Sequence, residues 1–488
     1  MGQPVIDKTQ TRKRPILITF IVVLFIISGH SIYGYVKPLP EGISFEGEVH
    51  ENQEVEFLVD LTYPTEDALQ HEQMIFERIY SIIKDAEKFI LLDMFLFNDE
   101  YDRTADFPSL SDDLTEQLIT KKRDNPEVEV IVITDPINTF YHSYPSPLIE
   151  RLRDHEIEVI LTDLTSLRDS NPAYTGAWRT FFRWFGTSEN GWLPNPFSPD
   201  SPDVTIRSYL ELLNFKANHR KVVISEQEAI VTSANPHDGS AYHSNIAFAL
   251  EGEILEELIE SEKSAAVMSG ANADRFESLT PVHSEPTNED NGGVHLQLLT
   301  EGMIKKHLLA AIEQTGGSDA ISIGAFYLSD RDLIAAILDA SSRDVTIRVL
   351  LDANKDAFGR EKNGIPNRPV AHELREKSDQ QIQVRWYNTS GEQYHTKLAI
   401  IDRVEEVEVF GGSANFTKRN LDNFNLETNV KLIGTNDDDV IRDIDHYFER
   451  LWNNDGGEYS LDYETYADGS SMKQLLYRFQ EWSGLSTF

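Results

Sequence analysis

The sequence predicts an α/β protein built from two lobes on one plan, preceded by a single apolar helix. Three observations carry that prediction. Strands and helices alternate along most of the chain, the order of elements occurs twice, and Pro15 to Gly29 reads PILITFIVVLFIISG. Such alternation builds largely parallel or mixed sheets covered by helices. A chain of 488 residues is long enough to fill two cores.

The chain opens with a basic segment, residues 1–14, followed by an apolar segment, 15–36, that is just long enough to cross a bilayer. Lys8, Arg12, Lys13 and Arg14 precede it and only Lys37 follows closely, so the positive-inside rule places the N-terminus in the cytoplasm and the rest outside. The alternative is a cleaved signal peptide with small residues at Gly29-His30-Ser31. Either way the body is exported. With no cysteine, disulfides, thiol nucleophiles and cysteine-held metals are excluded.

A first lobe is expected over 45–270. Phe57 to Leu61 reads as a strand and Glu66 to Ala86 as a helix. Lys88 to Phe97 is an apolar run of strand length, Leu114 to Lys122 a helix, Val128 to Thr134 a strand ending at Asp135, and Ile157 to Thr162 another strand. A second lobe is expected over 294–455 and repeats this order. His295 to Leu299, Ala320 to Leu328, Val345 to Leu351 and Ile382 to Trp386 read as strands; Met303 to Gln314 and Leu333 to Ala340 read as helices. Asp352 answers Asp135. The linker is placed at 271–293, where Asn, Ser, Pro, Glu and Gly replace any periodic pattern.

Two segments fall outside the duplication. The insertion 166–203 carries Trp178, Phe181, Phe182, Trp184, Phe185 and Trp192, a set that suits a membrane interface, a substrate mouth or a loop packed on its own domain. The extension 456–488 ends in an amphipathic helix, Met472 to Trp482, read as structural.

The repeat becomes residue-specific around two histidines. Asn218-His219-Arg220-Lys221-Val222-Val223-Ile224 answers Tyr394-His395-Thr396-Lys397-Leu398-Ala399-Ile400, and Ser233-Ala234-Asn235 answers Ser413-Ala414-Asn415, with Gly411-Gly412 read as part of a turn. In an extended strand residues i and i+2 share a face, so each histidine and its lysine point together. Glu226 answers Asp402. Counting on from the serines sets Ala247 opposite Glu427, which leaves His219 without the carboxylate that Glu427 offers. One His-x-Lys is a weak signal, but two in matched context are hard to explain by packing alone.

If the lobes meet, His219, Lys221, His395 and Lys397 converge in a set suited to substitution at a phosphodiester. The lysines offset charge on the phosphoryl oxygens, helped by Ser233, Asn235, Ser413 and Asn415. One imidazole attacks phosphorus and the other protonates the departing alkoxide. No cofactor or metal is called for, and the sequence has no recognisable metal-ligand spacing.

The paired H-x-K-x4-D and S-x-N elements resemble the phospholipase D superfamily, and NHRKVVI around His219 is similar to bacterial cardiolipin synthases. The resemblance implies a bilobal, pseudo-twofold α/β/α fold with both histidines at the lobe interface and a phosphohistidine intermediate. By the same analogy His219 is the nucleophile, His395 the general acid, and Glu427 an orienting carboxylate. It departs from typical cardiolipin synthases in having one N-terminal apolar helix rather than two. The expected partners are phospholipid, the membrane surface, and water or an alcohol acceptor. The net charge of -38 argues against tight nucleic-acid binding. An extracellular nuclease of the same superfamily and a degenerate surface-binding relative are the alternatives.

Overall fold

The computed structural model describes residues 8–104, 106–188, 190–282, 293–357 and 360–488. Two large mixed sheets organise it. In the first, the strands run Leu69–Gln73, Val55–Pro64, Asn245–Leu250, Ala229–Thr232, Lys221–Ser225, Phe89–Met94, Glu129–Thr134, Glu158–Leu161. In the second, the order is Glu46–Gln53, Val294–Thr300, Thr428–Gly434, Glu406–Gly412, Lys397–Arg403, Ala320–Ala325, Thr346–Leu351, Gln383–Tyr387, Ser460–Asp462. From Val55–Pro64 and from Val294–Thr300 onward, the two orders match strand for strand through Glu158–Leu161 and Gln383–Tyr387. In each sheet the strand that follows the histidine pairs antiparallel with a neighbour that itself begins a parallel run.

Strand alternation sorts side chains between cores. Val222 and Ile224, like Leu398 and Ile400, enter a central cluster shared by both lobes. Val223 lies in an outer cluster of the first lobe, and Ala399 and Ile401 in one of the second. The helices Ile254–Met268 and Asp439–Asn453 contribute to the central cluster. The lobes therefore share one core, and neither buries its inner sheet face alone.

Several local expectations are corrected. Leu69–Gln73, read as the start of a helix, is an edge strand, and the helix begins at Ile75. Glu46–Gln53, read with the first lobe, pairs antiparallel with Val294–Thr300 in the second sheet. Part of the linker is docked, since Phe276 and Leu279 are buried in the central cluster; 283–292 lie outside the described residues. Residues 1–7 of the tail lie outside the described residues.

Gly411 and Gly412 are strand residues rather than a turn. Gly411 faces the opposite lobe, where a Cβ would come 2.5 Å from Phe248 Cε2. A hydrogen atom is what allows the two sheets to approach at this point. Gly411→Ala is expected to destabilise the protein by about 1–3 kcal/mol, read as a lower denaturant midpoint at unchanged slope. An unchanged midpoint would show that the lobes slide apart freely here.

Candidate active site

Each histidine stands just before a strand, in a turn held by a buried aspartate from the end of the strand two places away in the sheet. Asp135 Oδ2 accepts the Asn218 N–H at 2.7 Å, and Asp352 Oδ2 accepts the Tyr394 N–H at 2.8 Å. Burial pushes these carboxyls up, to about 7 and about 6. The matching Asp135 and Asp352 thus set the two histidine turns.

The turns are then joined to the opposite lobe. His219 N–H donates to Leu426 O at 2.9 Å and His395 N–H to Ser244 O at 2.8 Å. These crossed contacts carry the side chains as well. His219 Nδ1 lies 3.0 Å from Glu427 Oε2, while His395 Nδ1 lies 2.9 Å from Ser233 O and 3.1 Å from Asn245 Oδ1.

This geometry revises the expected correspondence. Ser233 N–H bonds Ile246 O as Ser413 N–H bonds Thr428 O, so Asn245, not Ala247, occupies the place of Glu427. Asn245 lies 12 residues past Ser233 and Glu427 lies 14 past Ser413, a difference hidden when the copies are aligned without a gap. His219 faces the carboxylate, and His395 faces only neutral acceptors. Because both of His395's Nδ1 partners are acceptors, Nδ1 carries a proton and Nε2 is left for the site.

Ser233 and Ser413 are fully buried and hold the orienting groups, Ser233 Oγ donating to Asn245 Oδ1 at 3.0 Å and Ser413 Oγ to Glu427. Asn420 also donates to Glu427. The serines therefore act as struts. Asn235 and Asn415 keep the same slight exposure as the two imidazoles, 5–7%. Glu226 accepts the backbone N–H groups of Glu87, Lys88 and Phe89 at the far end of its strand, and Asp402 contacts Asn436. Neither reaches the histidines.

Lys221 and Lys397 are wholly buried, each ammonium turned back to the carbonyl of its own histidine, at 2.7 and 2.5 Å. Phe95 and Phe326, at equivalent positions just past their strands, pack tilted against the two imidazoles. Their ring centroids lie 4.9 and 5.0 Å from His219 and His395, and 5.2 and 5.3 Å from the two ammoniums. Sequence reasoning missed this pair, although the duplication holds both at the same offset. It also missed His243, whose ring lies 5.9 Å from that of His395.

Burial dominates the electrostatics. It pushes His219 down to about 4 against the pull of Glu427, and Lys221 down to about 7. His395 and Lys397 are held well below their usual ranges, by burial first and then by the neighbouring lysine. Behind His219, the buried Arg220 pairs with Glu301 at 2.8 Å and Glu262 at 3.3 Å, and Glu301 Oε1 also accepts the Glu427 N–H at 3.0 Å.

Residues 308–452 match the family described as cardiolipin synthase, PLD-like domain. The chain superposes on phosphatidylserine synthase from Haemophilus influenzae Rd KW20 with a TM-score of 0.56 and 10% identity, covering 90% of this chain and 96% of that one. The family match lies within the second lobe, and the superposition shows that the chain shares that synthase's fold. Nuc from Salmonella typhimurium, described as a phospholipase D family member, aligns over 34% of this chain and 97% of its own, at 19% identity and a TM-score of 0.26. A search of curated proteins finds no match. At these identities the structural likeness speaks for the fold alone.

A buried lysine near neutrality must take up a proton to hold an anion. Sulfate keeps its charge across the neutral range, so its affinity for the site is expected to fall as pH rises through about 7, where Lys221 loses its proton. Above that point one coupled proton weakens binding by up to ~10-fold per pH unit. Calorimetric titration between pH 6 and 9 reads this, and a flat profile would sink it.

Proposed function

We propose that the protein is a membrane-anchored phosphodiester-transfer enzyme that acts on phospholipid, passing a phosphatidyl group through a phosphohistidine on His219 to water or an alcohol. The observation that carries this reading is the Glu427 carboxylate, 3.0 Å from His219 Nδ1 across the lobe boundary. With the Nδ1 proton held toward Glu427, the Nε2 lone pair is free to attack.

As the P–Nε2 bond forms and the bond to the leaving oxygen breaks, positive charge grows on the ring, where Glu427 offsets it. His395 Nε2 gives its proton to the leaving alkoxide. Asn245 and Ser233 O stabilise an imidazolium less than a carboxylate does, so His395 releases that proton readily. It then takes one from the incoming water or alcohol, which breaks the P–N bond and restores His219. The incoming phosphodiester anion opposes the field of Lys221 and Lys397 and raises His395 so that it carries the proton when needed.

A lipid substrate is supported by the family description and by the apolar helix Pro15–Val36, which is exposed over most of its surface. Retention of that helix is supported by its fit to the body. Gly34 and Gly176 allow contacts in which a Cβ would fall 1.8 Å from Asp169 Oδ2 and 2.0 Å from Ser31 Oγ. Asp169 N–H bonds Gly34 O at 3.0 Å, and His30 reaches Thr180 Oγ1 at 2.9 Å. Gly176 also approaches Ile27 O, where a Cβ would fall 2.7 Å away, so the packing reaches back before Gly29 and cleavage there would remove part of it. The basic residues before the helix support a body outside the cytoplasm.

His219→Ala and His395→Ala are each expected to lower turnover of labelled phosphatidylglycerol by about 10³-fold or more, and Glu427→Gln by roughly 10²-fold or more. With an activated phosphodiester, His395→Ala is expected to accumulate label on His219. Label on His395 in His219→Ala would reverse the roles. Cleavage of single-stranded DNA without phospholipid turnover would replace the lipid reading with the nuclease one.

A further inference from the structure

The C-terminal helix Ser471–Ser483 is amphipathic the wrong way round. Its inward residues are polar: Tyr477 OH donates to Glu373 Oε2 at 2.6 Å, and Glu481 accepts Ser329 Oγ at 2.9 Å and Lys418 N–H at 2.8 Å. Facing outward at helical spacing are Met472, Leu475, Leu476, Phe479 and Trp482, with Trp482 77% exposed. A surface helix normally buries its apolar stripe; here the stripe is turned to the outside, which calls for an apolar cover.

The position of the helix identifies that cover. Its C-cap Gly484, at φ 71°, sits where a Cβ would lie 2.0 Å from Ser170 O. Ser170 adjoins Asp169, whose N–H bonds Gly34 at the end of the apolar helix. Arg419 fixes the same corner, with bonds to Gly484 O at 3.0 Å and Ser486 O at 2.7 Å. Beside it Tyr35 of the apolar helix meets Phe424 at 5.5 Å. The insertion helix Pro172–Phe181 packs along the apolar helix as well, and past it Trp184, Phe185 and Trp192 are exposed.

We infer that the stripe Met472, Leu475, Leu476, Phe479 and Trp482 lies in the interfacial layer of the bilayer that Pro15–Val36 crosses, as a second, non-spanning membrane contact. This rests on the reading of Pro15–Val36 as a retained anchor. Lys473 and Arg478 are held to the body by Asp468 at 2.6 Å and Glu373 at 3.0 Å, so the stripe itself is the part of the helix left for lipid. The anchor keeps the helix at high local lipid concentration, so a short apolar stripe suffices. Apolar contact also suits a chain of net charge -38, which gains nothing from an anionic surface by charge.

The absence of cysteine makes the test clean. Single variants Phe479→Cys, Trp482→Cys and, as an exposed apolar control, Val404→Cys, carry a fluorescent label in full-length protein in phosphatidylethanolamine–phosphatidylglycerol nanodiscs. Acyl-chain nitroxide lipids are expected to quench the labels at 479 and 482 but not at 404. Equal, weak quenching at all three positions would overturn the inference. So would spin–spin broadening between nitroxide-labelled Trp482→Cys chains, which would assign the stripe to a second copy. Intact mass of the purified chain is read in parallel. Loss of residues before Gly29 defeats the anchor reading, whereas a retained anchor with unquenched labels defeats this inference alone.

Discussion

The structure depends on a crossed contact: each histidine is held by the lobe that does not contain it. His219 takes its backbone and ring partners from Leu426 and Glu427, and His395 takes its own from Ser244, Ser233 and Asn245. Neither half of the site can be oriented without the other lobe. The shared central core, the close approach at Gly411 and the Arg220–Glu301 pair all serve the same juxtaposition. Leaving Glu301 buried without Arg220 would cost about 3–5 kcal/mol, and because Glu301 also holds the Glu427 backbone, that cost would be felt at His219.

Pseudo-symmetry of the scaffold therefore coexists with asymmetry of the chemistry. The paired aspartates, phenylalanines, lysines and serines are alike in both lobes, yet one imidazole faces a carboxylate and the other an amide. The same surroundings deprive both lysines of water, which keeps their charge conditional on an anion arriving. A chain so acidic overall can still receive a phosphate, since the two ammoniums lie in a dry interior rather than on its surface.

Much of this was legible from residues alone. The apolar strand runs and the doubled order are local patterns, and the structure draws them as read, except that each strand begins at the lysine and leaves its histidine in the turn before it. What escaped were features fixed by distant partners. Glu427 and His219 are 208 residues apart, and nothing local says that the carboxylate serves the other lobe's histidine. Ala247 was matched to Glu427 because a shorter loop before Asn245 shifts the register, which only the strand pairing reveals. Gly411-Gly412 looked like a turn because the neighbour that demands glycine, Phe248, belongs to the first lobe. Leu69–Gln73 carries a helix-compatible pattern but lies at a sheet edge, where pairing with Val55–Pro64 overrides propensity.

The placement of Glu46–Gln53 bears on how the chain is made. This strand leaves the ribosome early, yet its partner Val294–Thr300 begins 248 residues later. At 5–20 residues per second it waits roughly 12–50 s, unpaired, while the first lobe is synthesised around it. Its sequence, EGEVHENQ, suits that interval, for Glu46, Glu48 and Glu51 make it a poor template for pairing with another nascent chain. One of the first segments made is thus captured only by a strand of the second lobe, which ties the start of the body to the synthesis of that lobe.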